Sequence, residues 1–135
     1  MKNLLIHMTF LKSVETCFIK YADFYGRASR PEFWWFFLFS MICAMVAFAL
    51  HPVIEVVVGL GLFLPSIAVA SRRLHDIDKS GWLQLVGIIP LVGWIIVIIW
   101  YASDGHRKNN RFGKSIYKNQ KRRKSIYKNK KRRRR

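Results

Sequence analysis

The middle of the sequence has almost no charge. From Phe33 to Ala70 the only Lys, Arg, Asp or Glu is Glu55, whereas the whole chain of 135 residues carries a net charge of +17. Charge is therefore segregated along the chain rather than mixed through it. A soluble domain needs polar surface around its core, and this stretch has too little of it. We therefore exclude a soluble protein and predict an all-α integral membrane protein.

Cysteines and recognisable catalytic or metal-binding motifs are also scarce. The two cysteines, Cys17 and Cys43, fall in different segments, so neither a disulfide nor a metal site is predicted. No glycine-rich phosphate loop of the nucleotide-binding kinds occurs. The four histidines are scattered, and His75 has no further ligands at metal spacing. The sequence therefore predicts no metal, no cofactor and no catalytic residue, and we expect that the protein is not an enzyme.

Three apolar runs predict transmembrane helices, at residues 33–50, 52–70 and 82–101. Helices of this length cover roughly 27–30 Å, about the thickness of a bilayer core. The first two runs are joined by little more than His51 and Pro52, which predicts a tight antiparallel hairpin. The third run contains Pro90. Because twenty residues cannot cross the bilayer twice as helix, we favour one span kinked at Pro90 over two short segments that meet there.

The first 32 residues are predicted to form an interfacial helix and a linker. Over residues 3–25 apolar side chains recur on one face at 100° per residue, while Lys12, Lys20 and Asp23 gather opposite. This pattern is typical of an amphipathic helix that lies in the membrane interface. Gly26 ends the pattern, and Ser29 is expected to cap the first span.

Residues 102–135 form the last segment, a polybasic tail. It holds sixteen Lys and Arg against one Asp, and Lys114–Arg123 is repeated as Lys124–Arg133 with nine of ten positions identical. Residues 114–135 of this tail are too charged to pack, so we expect them to be disordered in isolation. Directly after a membrane span, anionic lipid is the nearest polyanion, and nucleic acid is the weaker alternative partner.

Orientation follows from the distribution of Lys and Arg. Three spans place the two ends of the chain on opposite faces, with sixteen Lys and Arg after the last span and eight on the other face. The positive-inside rule therefore puts the C-terminus in the cytoplasm. The difference between the two faces is small, because removal of one copy of the repeat leaves ten Lys and Arg after the last span against eight on the other face.

Several motifs occur in an order that resembles one bacterial family. They are YADFYGRASRPEFWWF, LPSIAVASRRLHDIDKSGW, IIPLVGW and NRFG. Over about Phe18 to Gly113 the chain is similar to domain-of-unknown-function family 805, the YhaH/YhaI-like proteins. The resemblance implies a multi-pass protein of the bacterial inner (plasma) membrane and brings no established activity. Pro31, Asp78 and the duplicated tail depart from the family pattern.

The stretch SRRLHDIDKSGW, from Ser71 to Trp82, sets a charged cluster between two apolar runs. If the second span continues as helix, its arginines lie within one turn of Asp76, so a polar cap on the helix end is the simplest interpretation. The alternative is a site for an anion, a lipid headgroup or a protein partner, because guanidinium groups bind phosphate and carboxylate through paired hydrogen bonds. The residues predicted for that site are Arg27, Arg30, Arg72, Arg73, His75 and Asp76.

Two polar residues near or within the spans leave two functions open. Glu55 and Gln84 are each interpreted as near-interface residues, with a role in an ion pathway as the alternative. The favoured function is a non-enzymatic membrane module that binds anionic lipid or another membrane protein. The alternative is a subunit of a small transporter or channel, in which oligomers line a path with these two residues and the charged residues of 71–81. Small residues in the second span would permit a homo-oligomer or a membrane-protein partner.

Overall fold

The computed structural model describes residues 9–117 together with Asn129, Arg132 and Arg133. The predicted helical residues 3–8 lie outside the described residues, and of the duplicated part of the tail the structure describes only residues 114–117, Asn129, Arg132 and Arg133. The described chain is helical, without a β-strand in that part of the molecule. Its elements are α1 (Phe10–Ile19), α2 (Arg30–Leu50), α3 (Pro52–Asp76), a 3₁₀ helix (Gly81–Ile88) and α4 (Val92–Ala102).

Helix α1 is shorter than the predicted amphipathic segment. The Thr9 side chain accepts a hydrogen bond from the Lys12 amide and caps the helix, which ends at Ile19 rather than near Tyr25. Its buried residues are Ser13 and Cys17, which face α2 and α3. Leu11 and Ile19 are 77% and 73% exposed, so an apolar face points away from the rest of the chain.

Helices α2 and α3 form the predicted antiparallel hairpin. Ser29 caps α2 by accepting from the Glu32 amide at 3.3 Å, as expected from the sequence. His51 ends α2 and also caps α3, where its ring accepts from the Val53 amide at 3.2 Å. With 21 and 25 residues, α2 and α3 are about 32 and 38 Å long, enough to cross a bilayer core.

The outer surface of this hairpin is apolar. Fewer than a quarter of the residues in the apolar windows of α2 and α3 are buried. A core helix of a soluble protein would bury most of its apolar side chains. The exposed side chains on the two helices include Phe37, Met45, Phe48, Val53, Val57, Leu60 and Phe63.

The third apolar run is not one kinked helix, which corrects the prediction for residues 82–101. The 3₁₀ helix ends at Ile88, the chain reverses around Pro90, and Leu91 takes the left-handed φ of 62° before α4 starts. Gly93 lies against the Val86 carbonyl with no room for a side chain. Each half rises only about 16 Å, half of a bilayer core. The alternative of two short segments meeting at Pro90 is the one that the structure contains.

Both ends of this third run lie at the same end of the α2–α3 hairpin. Gly81 packs on the Ser71 hydroxyl and the His75 ring, near the end of α3. At the other end of the run, the Tyr101 ring lies 4.3 Å from the Phe33 ring, near the start of α2. The run therefore enters and leaves the helical bundle on one side. The core beneath this end is formed by Cys17, Phe33, Phe36, Val69, Leu74 and Tyr101.

Candidate functional site

A charged cluster is buried where the third run meets the hairpin. Helix α3 continues past the apolar run to Asp76, as the second-span prediction allowed, and this extension carries Arg72, Arg73 and Asp76 into the protein. Each of these side chains is completely buried. Buried ions are costly unless they are paired and hydrogen-bonded, so the partners of these groups define the site.

The carboxylate of Asp76 is the centre of the cluster. Its Oδ1 accepts from Arg27 Nε at 2.9 Å, and its Oδ2 accepts from Arg73 Nη1 at 2.6 Å and from the Tyr117 hydroxyl at 2.6 Å. The Asp76 carbonyl also accepts from the His106 amide at 2.8 Å. One carboxylate thus joins the linker before α2, the end of α3 and the basic segment after α4.

Arg27 and Arg73, the two arginines that bind the Asp76 carboxylate, also donate hydrogen bonds to backbone carbonyls. Arg27 donates to the carbonyls of Lys108, at 2.9 Å, and His106. Arg73 donates to the carbonyls of Tyr101, at 3.0 Å, and Ser103. These carbonyls all belong to the segment that follows or ends α4. Arg27 and Arg73 therefore hold residues 101–108 against the hairpin, and this contact fixes the return of the third run.

A second buried ion pair joins α2 and α3. Arg72 Nη1 donates to Glu32 Oε1 at 2.5 Å, with the two side chains 0% and 7% exposed. Nε and Nη2 of Arg72 and the hydroxyl of Ser13 have no hydrogen-bond partner within the described part of the chain. Cys17 lies in the same junction. Burial, followed by the negative charge of Glu32, raises the pKa of the Cys17 thiol to about 12, although Arg72 acts in the opposite direction.

Arg30 differs from Arg27, Arg72 and Arg73, the other arginines predicted for the site, because it is half exposed. Its guanidinium pairs with Asp104 at 2.7 Å and donates to the Ala102 carbonyl at 2.8 Å. The Asp104 side chain is 83% exposed, so this is a surface ion pair. Arg30 also borders an open pocket of about 550 Å³. Its other lining residues are Ser29, Pro31, Trp34, Trp35, Ala102 and Tyr117.

His75 has a structural environment. Its Nδ1 lies 3.1 Å from the Gly26 carbonyl, and its ring stacks on Phe112 with centroids 3.9 Å apart and planes 5° apart. The His75 carbonyl accepts from the Asn110 side chain at 2.8 Å. The ring nitrogen that would face an orienting acid in a catalytic pair therefore faces a backbone carbonyl instead. Among the described residues no group of His, Cys and carboxylates is arranged to hold a metal ion.

Glu55 and Gln84 are not brought together. Glu55 is exposed in the first turn of α3, as expected for a residue near the helix N-terminus. Gln84 lies in the 3₁₀ helix, which begins beside His75 at the other end of α3. The 20 residues between Glu55 and His75 span about 30 Å of helix. The two residues therefore do not form one local site within the chain.

The sequence did not identify Tyr117 or Gly105 as part of the cluster. Tyr117 reaches Asp76 across 41 residues, and a methyl group at Gly105 would collide with the Asp76 carboxylate and the Tyr117 hydroxyl. Burial, followed by the hydrogen bond to the Asp76 carboxylate, raises the pKa of the Tyr117 phenol. The available signal was the placement of a tyrosine, next to Ile116, in a tail made mostly of basic and polar residues.

Comparison with known proteins gives three consistent matches. A family model described as "Protein of unknown function (DUF805)" matches residues 21–114. The inner membrane protein YhaI of Escherichia coli K12 is 38% identical over 104 residues, which cover 69% of this chain and 85% of YhaI. The inner membrane protein YhaH of the same organism is also 38% identical over 104 residues, covering 69% of this chain and 86% of YhaH. No solved structure matches the chain.

Proposed function

The chain belongs to the DUF805 family of proteins of unknown function and is a bacterial inner-membrane protein; from this premise we propose that it is a non-enzymatic module that binds the headgroup of an anionic lipid beside Arg30. The observation that carries the proposal is the open pocket at the charged end of the hairpin. It combines one accessible guanidinium with the rings of Trp34 and Trp35. Indole rings favour the level of the lipid headgroups.

The proposal assigns different roles to the arginines that the sequence grouped as one anion site. Arg27 and Arg73 are buried, and their guanidinium groups bind Asp76 and backbone carbonyls. Arg72 is buried with Glu32. These three arginines, with His75 and Asp76, shape the site, and Arg30 supplies the contact to the ligand. A lipid phosphate would replace Asp104, because a surface ion pair contributes at most about 1 kcal/mol.

The exposed basic side chains of the segment after α4 attract anionic lipid electrostatically. Arg107, Lys108, Arg111 and Lys114 are exposed on residues 106–114, which contain no acidic residue. Each basic group near an anionic surface contributes roughly 1 kcal/mol, and less as salt increases. The rest of the basic tail follows directly in the sequence. Lipid attraction by the segment is unspecific, whereas the Arg30 pocket offers a defined headgroup contact.

The proposal includes a membrane topology of two spans and one re-entrant hairpin. In this arrangement α2 and α3 cross the bilayer, and the 3₁₀ helix and α4 enter and leave on one face. Irregular backbone at membrane depth is tolerated where protein packs against it. All 24 Lys and Arg then lie on the face of the charged cluster, because none occurs between Phe33 and Ser71. The positive-inside rule places that face, with both the N-terminal and C-terminal segments, in the cytoplasm.

Lipid selectivity tests the headgroup site. The purified chain is reconstituted in nanodiscs of phosphatidylcholine with spin-labelled phosphatidylglycerol as the probe, and the motionally restricted fraction of the probe is measured. Arg30→Ala should lower the preference for phosphatidylglycerol about five- to tenfold, the loss of one charge-assisted hydrogen-bonded contact. Arg107→Ala removes the same charge from the exposed segment and should change the preference less than twofold. Asp104→Asn should increase it, because Arg30 is freed.

Equal preference in the Arg30→Ala and Arg107→Ala proteins would contradict a defined site, and the attraction would then be that of the basic surface alone. The transport alternative has a separate readout. Ion flux through proteoliposomes that disappears in Glu55→Gln would favour a channel or transporter subunit over the lipid-binding module.

A further inference from the structure

The segment after α4 contains a narrow slot for a tyrosine side chain. The floor of the slot is the Asp76 carboxylate, and one wall is Gly105, where a methyl group would collide with both Asp76 and the Tyr117 ring. The hydroxyl of Tyr117 enters the slot and donates to Asp76 Oδ2 at 2.6 Å. Because a buried carboxylate needs donors, the slot selects a side chain with a ring and a terminal hydroxyl.

A short sequence around the tyrosine makes the remaining contacts. The Tyr117 amide donates to the Ser115 hydroxyl at 3.1 Å, which bends the chain into a local turn. The Ser115 amide donates to Asn109 Oδ1 at 3.0 Å and anchors that turn to the preceding loop. The docked unit is therefore Ser-Ile-Tyr, and its polar contacts use the serine and the tyrosine.

The same unit occurs a second time. Residues 114–119 read KSIYKN, and residues 124–129 read KSIYKN again. Every residue type that makes a contact in the docked unit is therefore present at Ser125 and Tyr127. The slot, by contrast, occurs once, because Asp76 and Gly105 have no second copy in the described chain.

We propose that the slot between Gly105 and Asp76 is a tyrosine-recognition site that either Ser-Ile-Tyr unit of the same chain occupies, so that the tail exchanges between two registers. In the first register Tyr117 is docked and 18 residues follow it in the sequence. In the second register Tyr127 is docked, eight residues follow it in the sequence, and the stretch between Asn109 and the docked serine is ten residues longer. The exchange changes how far the basic tail reaches.

Loop length predicts the balance of the two registers. The contact from Asn109 to Ser115 closes a loop of six residues, and the equivalent contact to Ser125 closes sixteen. Closure of a flexible loop becomes less probable with about the three-halves power of its length, so the second register is disfavoured about fourfold. Both registers are therefore populated, with the one seen in the structure in excess.

Cross-linking between one fixed site and the two equivalent repeat positions tests the exchange. The full chain is used with Cys17 and Cys43 replaced by alanine. Lys108→Cys is combined with Lys114→Cys or with Lys124→Cys, and the initial rate of intramolecular cross-linking by a short bismaleimide is measured. We expect the Lys124→Cys pair to react about fourfold more slowly than the Lys114→Cys pair.

The two tyrosines provide matched variants. Tyr117→Phe removes the hydroxyl that holds the first register, so the rate of the Lys124→Cys pair should rise at least threefold. Tyr127→Phe should lower that rate at least threefold, and Gly105→Ala should lower it as well. A Lys124→Cys rate that is the same with Tyr127 and with phenylalanine at that position would overturn the proposal, since only random collision would then be detected. Cross-linked dimers that depend on Tyr127 would also overturn exchange within one chain.

Discussion

Nη1 of Arg72 lies 2.5 Å from Oε1 of Glu32, and this ion pair is sealed between α2 and α3. The pair holds together two helices that otherwise meet through apolar side chains. The hydrogen bonding of Arg72 is incomplete, because its Nε and Nη2 have no partner within the described residues. An ion pair of this kind is costly to bury and costly to break, so its two halves depend on one another.

The first prediction follows from that dependence. Arg72→Met leaves Glu32 buried without its partner and should lower the free energy of unfolding by about 3–5 kcal/mol. The double variant Arg72→Met with Glu32→Leu removes both charges and should return to within about 1 kcal/mol of the native chain. Unfolding in mixed detergent micelles, followed by helix content, measures both values. Additive losses in the double variant would show that the two residues are energetically independent.

The second prediction concerns the centre of the cluster. Asp76→Asn removes the negative charge between Arg27 and Arg73 and should destabilise the fold by about 3–5 kcal/mol. Asp104→Asn is the matched control, because it removes the same kind of charge from the exposed pair with Arg30. Its expected cost is below about 1 kcal/mol. The same unfolding assay compares the two, and similar losses would mean that the Asp76 bonds contribute no more than a surface pair.

The third prediction concerns the thiol of Cys17. Because its pKa is raised from 9.0 to about 12, the thiolate fraction at pH 8 falls on the order of 1,000-fold. Iodoacetamide should therefore alkylate Cys17 slowly in the folded chain and rapidly after unfolding in dodecyl sulfate. Mass spectrometry of the modified peptide in a Cys43→Ala chain gives both rates. Comparable rates would show that the junction of α1 with α2 and α3 is open to water.

The same raised pKa gives a pH dependence of stability. The folded chain holds the Cys17 proton more tightly than the unfolded chain, so the contribution is fully present below pH 9 and is lost as the pH rises toward 12. Cys17→Ala should reduce the loss of stability over that interval. The unfolding midpoint at pH 8 and at pH 10.5 is the measurement, and an unchanged pH slope would contradict the assignment.

The sequence predicted the hairpin well because its signals are local. The apolar runs at 33–50 and 52–70 lie inside α2 and α3, and Ser29 caps α2 as expected. Helix length, apolar composition and capping depend on neighbouring residues in the chain. The family was also identified correctly from the order of its motifs.

The prediction of one kinked helix for the third run was wrong because the conformation of this run depends on tertiary contacts. An apolar run of twenty residues has the same composition whether it crosses a bilayer or turns back. The return is fixed by Arg27 and Arg73, which donate to backbone carbonyls of residues 101–108, 28 or more positions away in the sequence. The bonds of Asp76 to Arg27 and Tyr117 similarly span 49 and 41 residues. Composition and periodicity do not report such pairings.

Membrane-impermeant maleimide labelling of single cysteines tests the topology most directly. In a chain whose native cysteines are replaced by alanine, Lys12→Cys and Arg107→Cys report the segments before α2 and after α4, and Val53→Cys reports the turn between α2 and α3. We expect Lys12→Cys and Arg107→Cys both to be labelled in inverted vesicles and protected in spheroplasts, and Val53→Cys to show the opposite pattern. Labelling of Lys12→Cys and Arg107→Cys from opposite faces would contradict this topology.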